Sequence, residues 1–233
     1  MKLLAVDTSG PVCGVSVLVD GVIRYECAVQ NKLTHSANLM PMVDTALSAS
    51  SLSLSDLDRL AVVVGPGSFT GVRIGVSTVK ALAHGAGKPC VAVNALEAMA
   101  AGVTEFSGVI CPIQDARAGQ VYSAAFSAAL PLERLLPDAP MKLEDYVAAI
   151  SAIGDRFLFL GDGMPVHRAR LAQLLGSSAV FAAPHQAFLR PASVAALAEQ
   201  ATETLDYLQL MPLYLRAPNA ERCKQLVEAN HAK

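Results

Sequence analysis

Residues 3–10 read LLAVDTSG and residues 109–119 read VICPIQDARAG, and the likeness between the two stretches decides how the chain is read. In each, an apolar run suited to a buried strand ends in a polar turn that carries an aspartate. Each is followed by a second strand-like run, CGVSVLV at 13–19 and QVYSAAF at 120–126. A second echo lies downstream. LAVVVGPGSF at 60–69 and FLFLGDGMP at 157–165 both set a strand, a glycine-x-glycine turn and a helix start in that order. Two features that recur in one order imply a duplicated α/β unit.

The segments around these anchors fill in the unit. Asp20-Gly21 separates CGVSVLV from VIRYECAV, and Asp-Gly between strand-like runs signals a tight antiparallel hairpin. Leu39, Met40, Val43, Ala46 and Leu47 recur at helical spacing, which predicts a helix over 34–50 with Thr34 or Ser36 as its cap. Pro41 is expected to kink that helix or to lie near its first turn. After LAVVV comes a helix over 69–86, then the short strand PCVAV and a helix starting near Asn94. The first half thus reads β-β-β-α-β-α-β-α. A boundary near 102–107 gives an N-terminal domain over 1–104 and a smaller, less regular C-terminal domain over 105–233. Within the latter, PLERLLPDAP at 131–140 reads as a loop-rich excursion.

Composition narrows the function. Of the 233 residues, 53% are hydrophobic and only 16% are charged, as in a compact chain with an unusually apolar surface. A net charge of -2 argues against a protein that grips nucleic acid by itself. Cys13, Cys27, Cys90, Cys111 and Cys223 are scattered without a C-x-x-C, as expected of buried thiols in a reducing cytosol. The opening MKLLAVDTSG has too short an apolar run for a signal peptide, and no 18-residue apolar run follows. The expectation is a cytoplasmic protein with no membrane partner.

GPGSFTG invites comparison with phosphate loops and fails it. A Walker A loop needs a lysine after its last glycine, where this chain has Val72 and Arg73 after Gly71. Gly65, Gly67 and Gly71 also miss the G-x-G-x-x-G spacing of dinucleotide folds. A sharp turn capped by Ser68 or Thr70 explains the loop. On the helix beyond it, Arg73, Ser77, Lys80 and His84 form one narrow stripe, and apolar residues cover most of the rest. Two explanations stand: a helix sandwiched inside its own chain, or one that meets a protein partner, with Gly71 and Gly75 permitting close approach. The partner reading places the interface on Met40, Met42 and Val43 of the first helix and on Phe69, Arg73, Val76, Ser77 and Lys80 of the second.

Catalytic patterns are missing. His35, His84, His167, His185 and His231 show no H-x-x-x-H or H-E-x-x-H spacing, and the serines show no G-x-S-x-G. Lone histidines of this kind read as exposed or as helix caps. Asp7 and Asp162 are the best cleft carboxylates, able to orient a nucleotide's metal or simply to cap turns.

The duplicated halves resemble the actin/hexokinase/Hsp70-like superfamily, in which turns from both halves face ATP across a cleft. That resemblance implies a two-domain α/β fold with Asp7, Thr8 and Ser9 opposite Gly161, Asp162 and Gly163. With AVDTS, GPGSFTGVRIG, DARAGQVY and YLRAPNAE in order along its length, the chain more closely resembles the bacterial TsaB (YeaZ) family. The resemblance implies a scaffold subunit of the machinery that makes N6-threonylcarbamoyladenosine at position 37 of tRNAs reading ANN codons. It implies pairing with a catalytic TsaD-like subunit, docking of a TsaE-like ATPase, tRNA contact only through the complex, and a homodimer when alone. The catalytic homologue's two metal-binding histidines fall on Ala95 and Met99, so neither metal nor catalytic cofactor is expected, and any ATP or ADP would not be turned over. The competing readings are a small-molecule kinase or ATPase of the actin-like fold and a metalloprotease or metal-dependent transferase in its own right.

Overall fold

The computed structural model describes residues 1–31, 33–128 and 132–216. Cys223, His231 and the end of the YLRAPNAE motif lie outside the described residues. The chain begins with strands β1 (Lys2–Asp7), β2 (Cys13–Val19) and β3 (Val22–Val29), then helix α1 (His35–Ala49), β4 (Arg59–Gly65), α2 (Phe69–Ala86), β5 (Cys90–Asn94) and α3 (Ala95–Ala101). The second half follows with β6 (Val109–Asp115), β7 (Gln120–Ser127), β8 (Arg134–Lys142), α4 (Leu143–Ser151), β9 (Phe157–Leu160), α5 (Gly163–Leu175), β10 (Ala179–Phe181) and α6 (Pro191–Gln200).

The two halves repeat one topology. The first sheet has the order β3-β2-β1-β4-β5, and the second, read from its β8 edge, has the order β8-β7-β6-β9-β10. In both, the first three strands pair antiparallel, and the first, fourth and fifth run parallel. This is the two-part α/β architecture expected from the sequence. The Asp20-Gly21 hairpin forms as read, with φ values of 49° and 77° in the left-handed region that the twist-matched two-residue turn requires. Pro41 falls inside α1, on its exposed side.

Sheet strands are apolar on both faces because both faces are covered. Along β1, Leu4 and Val6 point toward α1 and α2, where they pack with Leu39, Val43, Val76 and Val79. Leu3 and Ala5 point the other way, into a core shared with the second sheet. Between the sheets lie α3 and α6, whose fully buried Ala95, Ala98, Ala100, Ala195 and Ala198 allow close packing against both. On the far side of the second sheet, α4 and α5 cover Cys111, Ile113, Phe157 and Phe159. The layers run helix, sheet, helix, sheet, helix.

Two expectations are corrected here. Residues 131–140 hold most of β8 rather than an excursion, since Arg134–Lys142 pairs with β7. Its prolines, Pro137 and Pro140, are tolerated because β8 is an edge strand. A division into 1–104 and 105–233 also misplaces α6, which packs on the first sheet. Ser16 Oγ donates to the Pro191 carbonyl at 2.8 Å, Glu26 accepts the Ala192 amide at 3.1 Å, and Arg59 donates to the Ala201 carbonyl at 3.0 Å. Just beyond, Leu205 and Cys90 exchange two backbone hydrogen bonds of 2.8 Å. The short alanine side chains of α6 match the inner face of the first sheet, and no local pattern carries that information.

The central layer has no room for larger side chains. Ala98→Leu is expected to lower stability by about 1–3 kcal/mol through overpacking, although leucine keeps the helix propensity. Chemical denaturation of the two proteins measures the difference.

Candidate functional site

Where the first strand of each half ends, the chain makes the same turn. Asp7 Oδ1 accepts the Ser9 amide at 2.8 Å, and Asp115 Oδ1 accepts the Arg117 amide at 2.9 Å. Both are aspartate turns in which the side chain stands in for a backbone turn. They flank a cleft of about 780 Å³ bordered by Gly10, His35, Ser68, Asp115, Arg117 and Arg216. Beneath it, Asp7, Ser9, Gln114, Gly161 and Asp162 close around a much smaller space that Met99 also borders. Asp7, Ser9, Gly161 and Asp162 thus border one space. Asp115, the counterpart of Asp7 in the repeat, borders the wider cleft. The sequence carried that signal in DARAG, the counterpart of DTSG, without marking Asp115 as a site residue.

Burial dominates the electrostatics of this floor. Loss of hydration pushes the Asp7 carboxyl up to about 6, against the pull of the Ser9 hydrogen bond. Asp162 is likewise pushed up to about 6 by burial, with the neighbouring Asp115 carboxylate adding to the rise. Ser9 Oγ, Gln114 Oε1 and Asp162 Oδ1 are buried without a hydrogen-bond partner among the described residues. The floor is rich in acceptors and offers little to a phosphate.

The glycine turn is also occupied by the chain itself. The Ser68 amide donates to the Ser9 carbonyl at 2.7 Å, and Ser68 Oγ caps α2 by accepting the Gly71 amide at 3.2 Å. Gly71 and Gly75 let α2 close onto the N-terminal turn. A Cβ at Gly71 would stand 2.1 Å from the Thr8 carbonyl oxygen, and one at Gly75 2.4 Å from Thr8 Oγ1. Thr8 Oγ1 then donates to the Gly71 carbonyl at 2.7 Å. These glycines thus serve an approach within the chain, one of the two explanations that the sequence left open.

The polar stripe of α2 is met by residues 205–216, a strap that follows the helix back toward the cleft. The ring of Tyr207 lies 4.5 Å from that of His84, Met211 Sδ lies 3.9 Å from Lys80 Nζ, and Tyr214 accepts a 2.8 Å hydrogen bond from Arg73 Nε. Leu210 is fully buried, and the Leu213 amide donates to the Val64 carbonyl at 2.7 Å. Of the expected partner-facing residues, Met42, Val43 and Val76 are buried in the chain's own core. They are corrected to core residues, because sheet, sister helix and strap together cover the wide apolar arc. Met40, Arg73 and Ser77 remain exposed, while Phe69 and Lys80 are half-buried. Ala95 and Met99 lie buried on α3, with side chains that supply no imidazole. His35 donates from Nε2 to the Gly10 carbonyl at 2.9 Å, and His167 Nε2 sits 3.8 Å from Asp115 Oδ1.

A repeated β-β-β-α-β-α-β-α unit whose paired aspartate turns face one cleft defines an α/β protein of the actin/hexokinase/Hsp70-like class. Residues 30–230 match the family model described as TsaD, tRNA N6-adenosine threonylcarbamoyltransferase. The TsaB protein of tRNA threonylcarbamoyladenosine biosynthesis from Bacillus subtilis is 36% identical over 95% of this chain and 96% of its own. The chain belongs to this family and, within it, to the TsaB proteins. The Escherichia coli TsaB protein is 38% identical over 54% of this chain and 55% of its own. The solved structure of YeaZ from Pseudomonas aeruginosa superposes with a TM-score of 0.74 at 25% identity, covering 92% of this chain and 99% of that one.

The raised carboxyls make stability depend on pH. An aspartate whose folded pKa is raised contributes stability that is full below about 4, its unfolded value, and is lost as pH rises through about 6. Asp7→Asn is therefore expected to stabilise the protein above pH 6, by up to about 3 kcal/mol, and to change little at pH 4. Urea titrations of both proteins across pH 4–8 check this.

Proposed function

We propose that the chain is a non-catalytic subunit of the cytoplasmic machinery that forms N6-threonylcarbamoyladenosine at position 37 of tRNAs reading ANN codons. The observation that carries this reading is the match to the Bacillus subtilis TsaB protein over nearly the whole of both chains. Its role is assembly. The catalytic TsaD-like subunit docks on the exposed faces of α1 and α2, a TsaE-like ATPase binds the pair, and tRNA is met only through the complex. Alone, the same face pairs with a second copy.

The side chains of the cleft support a structural role. At the two positions that the resemblance aligns with the catalytic homologue's histidines stand Ala95 and Met99, which cannot hold a metal as histidine does. The acceptor-rich floor and the engagement of the Ser68 amide by Ser9 fit poorly with a bound triphosphate. No catalytic cofactor is assigned, and ATP or ADP held in the cleft would not be turned over. That geometry also weighs against a kinase.

Burial directs the test away from Val76 and toward Ser77, whose side chain is exposed. Ser77→Glu should leave the fold intact while abolishing co-purification with the TsaD-like subunit and tRNA modification by the reconstituted complex. Retention of both would rule out docking through α2. ATP hydrolysis by the isolated chain that disappears in Asp7→Ala would overturn the non-catalytic reading.

A further inference from the structure

Arg73 is held by two aromatic side chains. Its guanidinium stacks over the Phe69 ring at 3.9 Å and its Nε donates to the Tyr214 hydroxyl, while Phe69 and Tyr214 pack with ring centroids 4.9 Å apart. Two motifs distant in sequence, GPGSFTGVRIG and YLRAPNAE, meet in this one cluster. Several other arginines are engaged by acceptors, Arg170 by Glu144, Arg190 by Glu26, Arg134 by Glu97 and Asp138, and Arg59 by backbone carbonyls, while Arg156 and Arg168 also lie over phenylalanine rings. The Arg73 Nη pair has no acceptor among the described residues, and the residue is exposed.

We propose that Arg73 is a pre-formed receptor for an aspartate or glutamate side chain of the docking partner subunit, an inference that rests on the α1–α2 docking described above. A guanidinium presents a planar fork that matches a carboxylate through two parallel hydrogen bonds. Here the stack and the Tyr214 hydroxyl have already fixed the fork's plane, so little side-chain freedom is lost on binding. α2 carries Arg73, Lys80 and His84 and no acidic residue. Lys80 stands about 10 Å further along the helix axis. Beside them, Leu208 and Met211 of the strap are 68% and 63% exposed. An anchored arginine bordered by aromatic and aliphatic side chains is the makeup of a protein-binding hot spot. A phosphate backbone would call for further cations in place of that apolar rim.

The test titrates the purified full chain with the TsaD-like subunit of the same organism at low and high salt, alongside Ser77→Glu. Arg73→Gln should weaken the pairing about 10- to 100-fold, flatten its salt dependence and leave the thermal midpoint unchanged. Arg73→Lys should restore little, because a point charge lacks the fork. Tyr214→Phe, which keeps the packing and removes only the hydroxyl, should weaken it by a smaller factor. Unchanged affinity in Arg73→Gln and Tyr214→Phe, with pairing lost in Ser77→Glu, would overturn the anchor and leave the docking face standing. Unchanged affinity in all variants would overturn the docking face itself. Intact pairing with a loss of tRNA binding by the complex would show that the fork reads phosphate, and would equally overturn the proposal.

Discussion

Two sheets burying their inner faces against a single pair of short helices is the constraint on which the rest of the molecule depends. Neither half closes its own core. The first sheet needs α6, which arrives from the far end of the chain, and the second needs α3, which leaves the first. Since that layer lies between two apolar surfaces, its residues must be small, and alanines fill the positions where the helices touch both. The cleft then follows from geometry. With the sheets held at a fixed separation, the turns at the ends of β1 and β6 flank one cleft, and Asp7 is withdrawn from water.

Much of this architecture was legible in the sequence, and for a physical reason. Strand alternation, the Asp20-Gly21 hairpin and the helix starts at Ser68 and Asn94 are set by neighbours within a few residues, and such signals survive in a linear reading. The repeat was legible for the same reason, because both halves keep the strand-turn-strand order. β8 was not, since prolines at an edge strand look like loop residues until a partner strand stands beside them. α6 escaped because its amphipathic pattern says only that it is buried, not on which sheet.

The candidate site was read less well, and the error is informative. A helix apolar over most of its circumference signals that several things touch it, without saying whether they belong to the same chain. Here three of them do: the sheet beneath, α1 beside it, and a strap contributed more than 100 residues later in the chain. Gly71 and Gly75 were equally ambiguous, because absence of a Cβ reports proximity and not identity. What the sequence did carry was the matched stripe. Arg73, Lys80 and His84 recur at the spacing with which Tyr214, Met211 and Tyr207 come to meet them.

The dependence of the first sheet on α6 reaches into biosynthesis. All five strands of that sheet have been synthesised once residue 94 is made, yet the helix that covers their inner face ends at residue 200. At ordinary rates of translation the gap lasts roughly 5–20 s, far longer than a hairpin or helix needs to form. For that interval Leu3, Ala5, Ala61 and Val63 face water or whatever else is near. The nascent chain is thus a natural client for a holding chaperone. An interruption of synthesis in the second half would leave an exposed apolar sheet in place of a stable small domain.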